Sequence, residues 1–528
     1  MNRELDTVIV GGGFAGVYAL KRLRDLGLEG RVFEAGSGIG GTWFWNRYPG
    51  ARCDIESMEY SYQFSEDLQQ EWEWSEHYAT QPEILTYINH VVDRFDLNDG
   101  IQLNTRVESA HFQEETGRWT VKTSDGETWD AKFVIMATGC LSSTNVPEFP
   151  GIDDFQGDWY HTGNWPHDPI DFAGKRVAVI GTGSSAIQSI PLMAEQAEHL
   201  MVFQRSPNFS IPARNQTLDP EYVSDVKSRY AEFREANKQT AFNANFGYNE
   251  ANAMDVSSEE RDREFESRWA QGGLPFMAAF ADLLFDENAN EIAADFVRGK
   301  IKDIVDDPEI ADLLCPSSVV GCKRLCVDSD YYATYNRDNV SLVNIKDNPI
   351  QTITESGLRT GTDEYAFDVI VFATGFDAMT GALTKIDIRG RESQTIQAAW
   401  AEGPKTYLGL AINGFPNLFT VTGPGSPSVL TNMLPSIEHH VEWISDCMVW
   451  VNQKGLTTID ATDEAQERWV EHVNEVGDTS LYPNCNSWYL GSNIPGKPRV
   501  FMPYLGFPPY AEKCKAVADN NYEGFALA

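Results

Sequence analysis

The sequence predicts an α/β protein built on two doubly wound sheets, with a helical insertion in the second. Three observations carry this expectation. An apolar run, Asp6-Thr7-Val8-Ile9-Val10, leads straight into Gly11-Gly12-Gly13-Phe14-Ala15-Gly16 and then a helical pattern. A second run, Arg176-Val177-Ala178-Val179-Ile180, leads into Gly181-Thr182-Gly183-Ser184-Ser185-Ala186 in the same way. Between residues 212 and 319 the chain turns polar, charged and helical, as in 229–238 and 259–269. A short buried strand, a glycine turn and a helix start make the first half of a βαβ unit, and such units build parallel sheets.

Each unit continues to a second strand. In the first it is Gly30-Arg31-Val32-Phe33-Glu34, and in the second Leu200-Met201-Val202-Phe203-Gln204-Arg205. Each sheet is then closed by a strand and turn of one pattern: Phe133-Val134-Ile135-Met136-Ala137-Thr138-Gly139, and Val369-Ile370-Val371-Phe372-Ala373-Thr374-Gly375. After residue 377 the chain resumes with Gly, Pro and aromatic residues rather than a third βαβ unit, so it is expected to return to the first domain. The division expected is 1–141 and 377–528 for the first domain, 142–211 and 320–376 for the second, and 212–319 for the insertion.

At 528 residues the chain is long enough for about three domains. A net charge of −37 repels nucleic acid and anionic membranes, so neither is expected as a partner. No uncharged apolar stretch reaches the roughly 18–20 residues of a membrane span. The first glycine loop starts at Gly11, so no signal peptide is expected. The eight cysteines form no C-x-x-C pair and no Cys/His cluster of zinc spacing, so reduced structural thiols and no metal are expected. The expectation is a cytoplasmic protein, monomeric for want of any coiled or swapped interface pattern.

The two loops differ where it matters. In the first, Gly11 permits the tight turn, Gly13 lets backbone approach a pyrophosphate, and Gly16 allows close helix–strand packing. Glu34, 23 residues after Gly11, can accept hydrogen bonds from ribose hydroxyls and would repel a 2′-phosphate, which suits FAD or NAD. In the second, Gly181, Gly183, Ser184 and Ser185 are expected at the pyrophosphate. There the strand ends in Arg205-Ser206, chemistry suited to a 2′-phosphate, so NADPH is expected. A chain with one FAD site and one NADPH site moves hydride from nicotinamide to flavin. Disulfide reductases carry a redox Cys pair just beyond the FAD loop, whereas this region offers only Cys53; O2 is the remaining acceptor.

Between the loops lies Phe155-Gln156-Gly157-Asp158-Trp159-Tyr160-His161-Thr162-Gly163-Asn164-Trp165-Pro166, which spells F-x-G-x-x-x-H-x-x-x-W-P. Beyond Glu34, the residues Gly41, Trp43, Tyr48, Pro49, Gly50 and Asp54 match G-x-W-x-x-x-x-Y-P-G-x-x-x-D. With both loops, these segments resemble the flavin-dependent (type I) Baeyer–Villiger monooxygenases. The resemblance runs on through Gly321-Cys322-Lys323-Arg324, Ala373-Thr374-Gly375-Phe376-Asp377, Gly423-Pro424-Gly425 and Ser487-Trp488-Tyr489.

The resemblance implies an NADPH- and O2-consuming enzyme that forms a C4a-peroxyflavin and converts aromatic or cyclic ketones to esters or lactones, with thioether sulfoxidation as a side activity. It implies Arg324 as the active-site cation and Asp54 as the carboxylate that orients it. Thr42, Trp43 and Asp54 would lie at the flavin, Lys323 beside Arg205 at the 2′-phosphate, and Trp488 against NADP. Phe155, Gly157, His161, Trp165 and Pro166 would couple the domains, with His161 moving no proton. Cys140, Ser428, Val429 and Leu430 would line the substrate pocket. Cys140 departs from the pattern of the phenylacetone-oxidising branch, which has glutamine there, while the length of the 428–430 loop favours that branch. The alternative is a flavin N- or S-oxygenating enzyme of the sister class, whose linker motif lacks the final Trp-Pro.

Overall fold

The computed structural model describes residues 3–501 and 503–528. Its two principal sheets grow from the two repeated units. In the first, strand Arg3–Val10 pairs in parallel with Gly30–Phe33 on one side and Thr128–Met136 on the other. The sheet carries eight strands and is mixed: Val107–Gln113, Arg118–Thr123 and Thr128–Met136 form an antiparallel meander that the sequence pattern did not resolve. Two strands from far down the chain, Asp387–Arg389 and Leu418–Thr420, complete it by pairing in parallel with Val107–Gln113 and Thr128–Met136.

The second sheet is wholly parallel, in the order Val340–Asn344, His199–Gln204, Arg176–Ile180, Val369–Phe372, Asp158–His161. Its central strands read as unbroken apolar runs because both faces are covered, one by helix Ser184–Gln196 and the other by a small antiparallel sheet of Ile350–Thr354, Gly357–Thr360 and Glu364–Ala366; all four residues of Val369–Phe372 are buried. The F-x-G-x-x-x-H segment thus becomes an edge strand, with His161 opposite Phe372. Residues 212–319, the stretch expected as an insertion, hold helices Pro220–Ser228, Tyr230–Lys238, Ser258–Gln271, Glu287–Ile304 and Pro308–Leu314.

The paired A-T-G turns have a structural reason. Gly11 and Gly181 sit at φ +107° and +115°, and a Cβ on either would collide with the carbonyl oxygen of Ala137 or Ala373 respectively. Each glycine loop therefore packs directly on the turn that closes its own sheet, which fixes both ends of the phosphate-facing edge.

The cysteine expectation needs correcting. Cys322 and Cys485 are joined in a disulfide, with Cα atoms 5.6 Å apart. A separation of 163 residues hides such a pair from any spacing rule, and only the fold brings them together. The other six cysteines are free thiols. Among the described residues, no helix is long and apolar enough to cross a membrane, and no His/Cys/Asp/Glu group could hold a metal.

Candidate active site

Both nucleotide loops end in helices that leave their first amides open. Helices Phe14–Asp25 and Ser184–Gln196 begin after Gly13 and Gly183, and neither has a side-chain cap or an acid in its first turn. Unpaired N–H groups and a positive dipole end together favour a phosphate. Space is available for one: a Cβ on Gly183 would meet nothing within 4 Å, and one on Gly13 would meet only the Gly41 backbone, at 3.4 Å.

The buried Glu34 carboxylate accepts the Gly12 and Gly36 amides, both at 2.6 Å. An ionised carboxylate offers about four acceptor positions, so two remain for ribose hydroxyls. Trp43 is buried and donates from Nε1 to the Tyr60 hydroxyl at 3.0 Å, while neighbouring Thr42 is exposed. At the second loop, the Ser184 hydroxyl lies 3.3 Å from the Cys326 thiol, and that of Ser185 lies 3.1 Å from Thr162. These residues fit FAD at the first loop and a nicotinamide dinucleotide at the second.

The second site is also electrically prepared for the larger cofactor. Arg205 and Ser206 are exposed, and half-buried Lys323 stands close enough to Arg205 to feel it. Burial and then the Arg205 charge hold the Lys323 ammonium below its ordinary range. Among the described residues neither cation forms a salt bridge. Two like charges without a carboxylate between them favour a dianion such as a 2′-phosphate.

At the centre, Arg324 and Asp54 meet across 270 positions of sequence. Arg324 donates from Nε to Oδ2 at 2.5 Å and from Nη2 to Oδ1 at 3.0 Å, a bidentate fork. A third bond runs from Nη1 to the Val429 carbonyl at 2.8 Å. Burial opposes the Arg324 charge, but the Asp54 charge and hydrogen bonds outweigh it and hold the guanidinium above its ordinary range. Guanidinium has five N–H groups, and these three bonds leave two without a protein partner among the described residues.

The expected pocket residues gather beside this fork. Cys140, Val429 and Leu430 share one apolar cluster with Met379, Tyr482, Tyr489 and Leu490. Ser428 is fully buried in the left-handed region at φ +43°, a backbone strain of the kind held at binding loops. Half-buried Trp488 packs on Tyr489, with ring centroids 4.4 Å apart. Their segment is fastened to the closing turn of the second sheet: Lys497 pairs with Asp377 at 2.5 Å, and Asn493 donates to the Phe376 carbonyl at 2.7 Å.

His161 stands apart from the fork. Burial lowers its pKa to about 4, so the ring is neutral. Its Nδ1 accepts the Gly163 amide at 3.0 Å. The Thr374 hydroxyl gives its proton to the Asn145 carbonyl at 2.6 Å, so Nε2–H of His161 donates to Thr374 Oγ1 at 3.3 Å. Both ring nitrogens are therefore occupied. Nearby, the Trp165 amide donates to the Trp45 carbonyl at 3.3 Å, which joins the W-P end of the linker to the G-x-W segment of the first domain. Phe155 and Trp165 are buried. A Cβ on Gly157 would strike the Asp368 carbonyl. Sequence reasoning missed Phe242 of the insertion, whose ring lies 5.2 Å from the Arg324 guanidinium carbon, and the Val429 carbonyl. No motif or periodicity marks either.

The chain is similar to known proteins along its whole length. The family model of pyridine nucleotide-disulphide oxidoreductases matches residues 8–277. A phenazine N-monooxygenase of Lysobacter antibioticus is 43% identical, covering 99% of this chain and 97% of its own. A Baeyer–Villiger monooxygenase of Pseudooceanicola batsensis is 42% identical over 98% of this chain and 95% of its own. Among solved structures, an oxidised steroid monooxygenase bound to NADP superposes with a TM-score of 0.95 at 52% identity, covering 99% of both chains. Full-length likeness at this level means that the chain belongs to the FAD- and NADPH-dependent Baeyer–Villiger monooxygenases.

Proposed function

We propose that the chain oxidises aromatic or cyclic ketones to esters or lactones, with Arg324 as the cation at the reacting oxygen and Asp54 as its positioning partner. NADPH, O2 and a proton would be consumed, and NADP+ and water released. The observation that carries this is the Arg324 fork, whose carboxylate and carbonyl partners fix the guanidinium while two N–H groups remain for a ligand oxygen. When bound, the flavin reduced by NADPH supplies the activated oxygen. A guanidinium keeps its charge at any working pH, so it can stabilise developing negative charge on oxygen without exchanging a proton.

The other residues divide by chemistry. Gly11, Gly13, Gly16, Glu34, Thr42 and Trp43 would hold FAD. Gly181, Gly183, Ser184 and Ser185 would hold the second pyrophosphate, with Lys323, Arg205 and Ser206 on its 2′-phosphate and Trp488 closing that side. Cys140, Ser428, Val429 and Leu430 would face the ketone. His161 would couple domain positions through Gly163 and Thr374, since a ring with both nitrogens occupied is a poor base. Thioether sulfoxidation would accompany the main reaction.

The test is product analysis of the purified protein with NADPH, air, phenylacetone and cyclohexanone. Benzyl acetate or caprolactone formed in step with NADPH consumed is expected. Oxidation of amines or thioethers with a broad ketone panel untouched would instead favour the N- or S-oxygenating reading, to which the phenazine N-monooxygenase relative lends weight.

A further inference from the structure

Asp54 and Val429 grip Arg324 through its N–H groups, but neither constrains the flat face of the guanidinium. Phe242 does. Its ring centroid lies 5.2 Å from the guanidinium carbon, within the range of a cation–π contact. The ring is held from several sides. The Phe242 carbonyl accepts the Asn432 amide at 2.8 Å, and the neighbouring Ala241 carbonyl accepts the Phe507 amide at 2.9 Å. Asn432 caps helix Met433–Gln453, directly after the 428–430 loop that supplies the third Arg324 bond, and its side chain also donates to the Glu59 carbonyl at 3.1 Å. Phe246 packs on Phe242 with centroids 5.0 Å apart. The insertion thus delivers one aromatic ring to the cation and staples it to the loop that binds the same cation.

We propose that Phe242 is a positioning residue for the oxygenation step: its ring fixes the face of Arg324, so that the two free N–H groups stay aimed at the reacting oxygen and water is kept from them. This rests on the assignment of Arg324 above. The contacts of Phe242 described above, to Arg324, Phe246 and Asn432, include no residue assigned to NADPH, so its effect is expected after the flavin has been reduced. A misaimed guanidinium lets activated oxygen escape as hydrogen peroxide, and the observable is coupling, meaning product formed per NADPH consumed.

The experiment uses the FAD-loaded protein as wild type, Phe242→Leu and Phe242→Tyr. Leu keeps an apolar side chain but has no π-face, whereas Tyr keeps the face. Anaerobic reduction of the flavin by NADPH, followed by loss of its yellow absorbance, is expected within about twofold of wild type in both. Product per NADPH is expected to fall roughly five- to tenfold in Phe242→Leu, with hydrogen peroxide rising to match, and to return to near wild type in Phe242→Tyr. Unchanged coupling in Phe242→Leu overturns the proposal. So does equal loss in both variants, which would point to packing alone, and so does a parallel loss of flavin reduction and FAD content. If wild type oxygenates a thioether and no ketone, the same ratio is measured on the thioether, and Phe242 is judged apart from the ketone assignment.

Discussion

Replacing Arg324 with alanine separates the two halves of the reaction. The substitution removes three hydrogen bonds, two to Asp54 and one to the Val429 carbonyl, together with the two unpartnered N–H groups. Losing one preorganised donor to a developing oxyanion costs about 2.7–4 kcal/mol, or 10²–10³ in rate, so losing both donors and the charge should cut ester formation at least ~10³-fold. The cost to stability is smaller. The paired side chains are 19% and 26% exposed, so water screens the orphaned Asp54, and the 3–5 kcal/mol of a fully buried pair shrinks to about 1–2 kcal/mol. Reduction of the flavin by NADPH is expected to stay within a few-fold of wild type, because the phosphate-facing amides and the Arg205–Lys323 pair are untouched. The assay combines stopped-flow bleaching of the flavin without oxygen, chromatographic measurement of ester in air, and a thermal melt. Ester yield per NADPH within threefold of wild type would refute the role of the fork, whatever happened to the melt.

Two further outcomes follow from the charges. Lys323→Ala should raise KM for NADPH roughly ten- to a hundredfold, as expected for a lost charge-assisted bond, and barely move KM for NADH; equal shifts for both cofactors would mean that Lys323 does not meet the 2′-phosphate. Glu59, buried against the insertion, has its pKa raised to about 8 by burial and then by Glu56, from an ordinary value of 4.5. The folded protein therefore holds a proton that the unfolded chain releases, and stability falls as pH rises from about 4.5 through 8. Glu59→Gln should remove that slope, so its Tm advantage over wild type should grow between pH 5 and 9, and a difference that stays flat across this range would contradict the buried-acid reading.

What the sequence by itself determined is what chain-local physics encodes. A strand that runs into glycines and then a helix start can make few structures, and Gly11 and Gly181 must be glycine because their φ values and the carbonyls behind them exclude a Cβ. The different chemistry of the two strand ends, Glu34 against Arg205-Ser206, can be read from the sequence as well, because in such a unit the residue after the second strand is the one expected to face a ribose. Arg324 and Asp54 were reached only through resemblance, since nothing local distinguishes one arginine of the chain from another.

The tertiary structure alone decided the pairings. It gave the expected Arg324–Asp54 pair its bidentate geometry across 270 positions, laid Phe242 over Arg324, and closed Cys322 on Cys485 where reduced thiols were expected. The antiparallel meander in the first sheet was hidden too, because its register depends on the strands it packs against. Backbone sterics and periodicity act over a few residues and are written into the order of the chain. Contacts between distant residues depend on how helices and sheets pack, and no short pattern in one sequence specifies that.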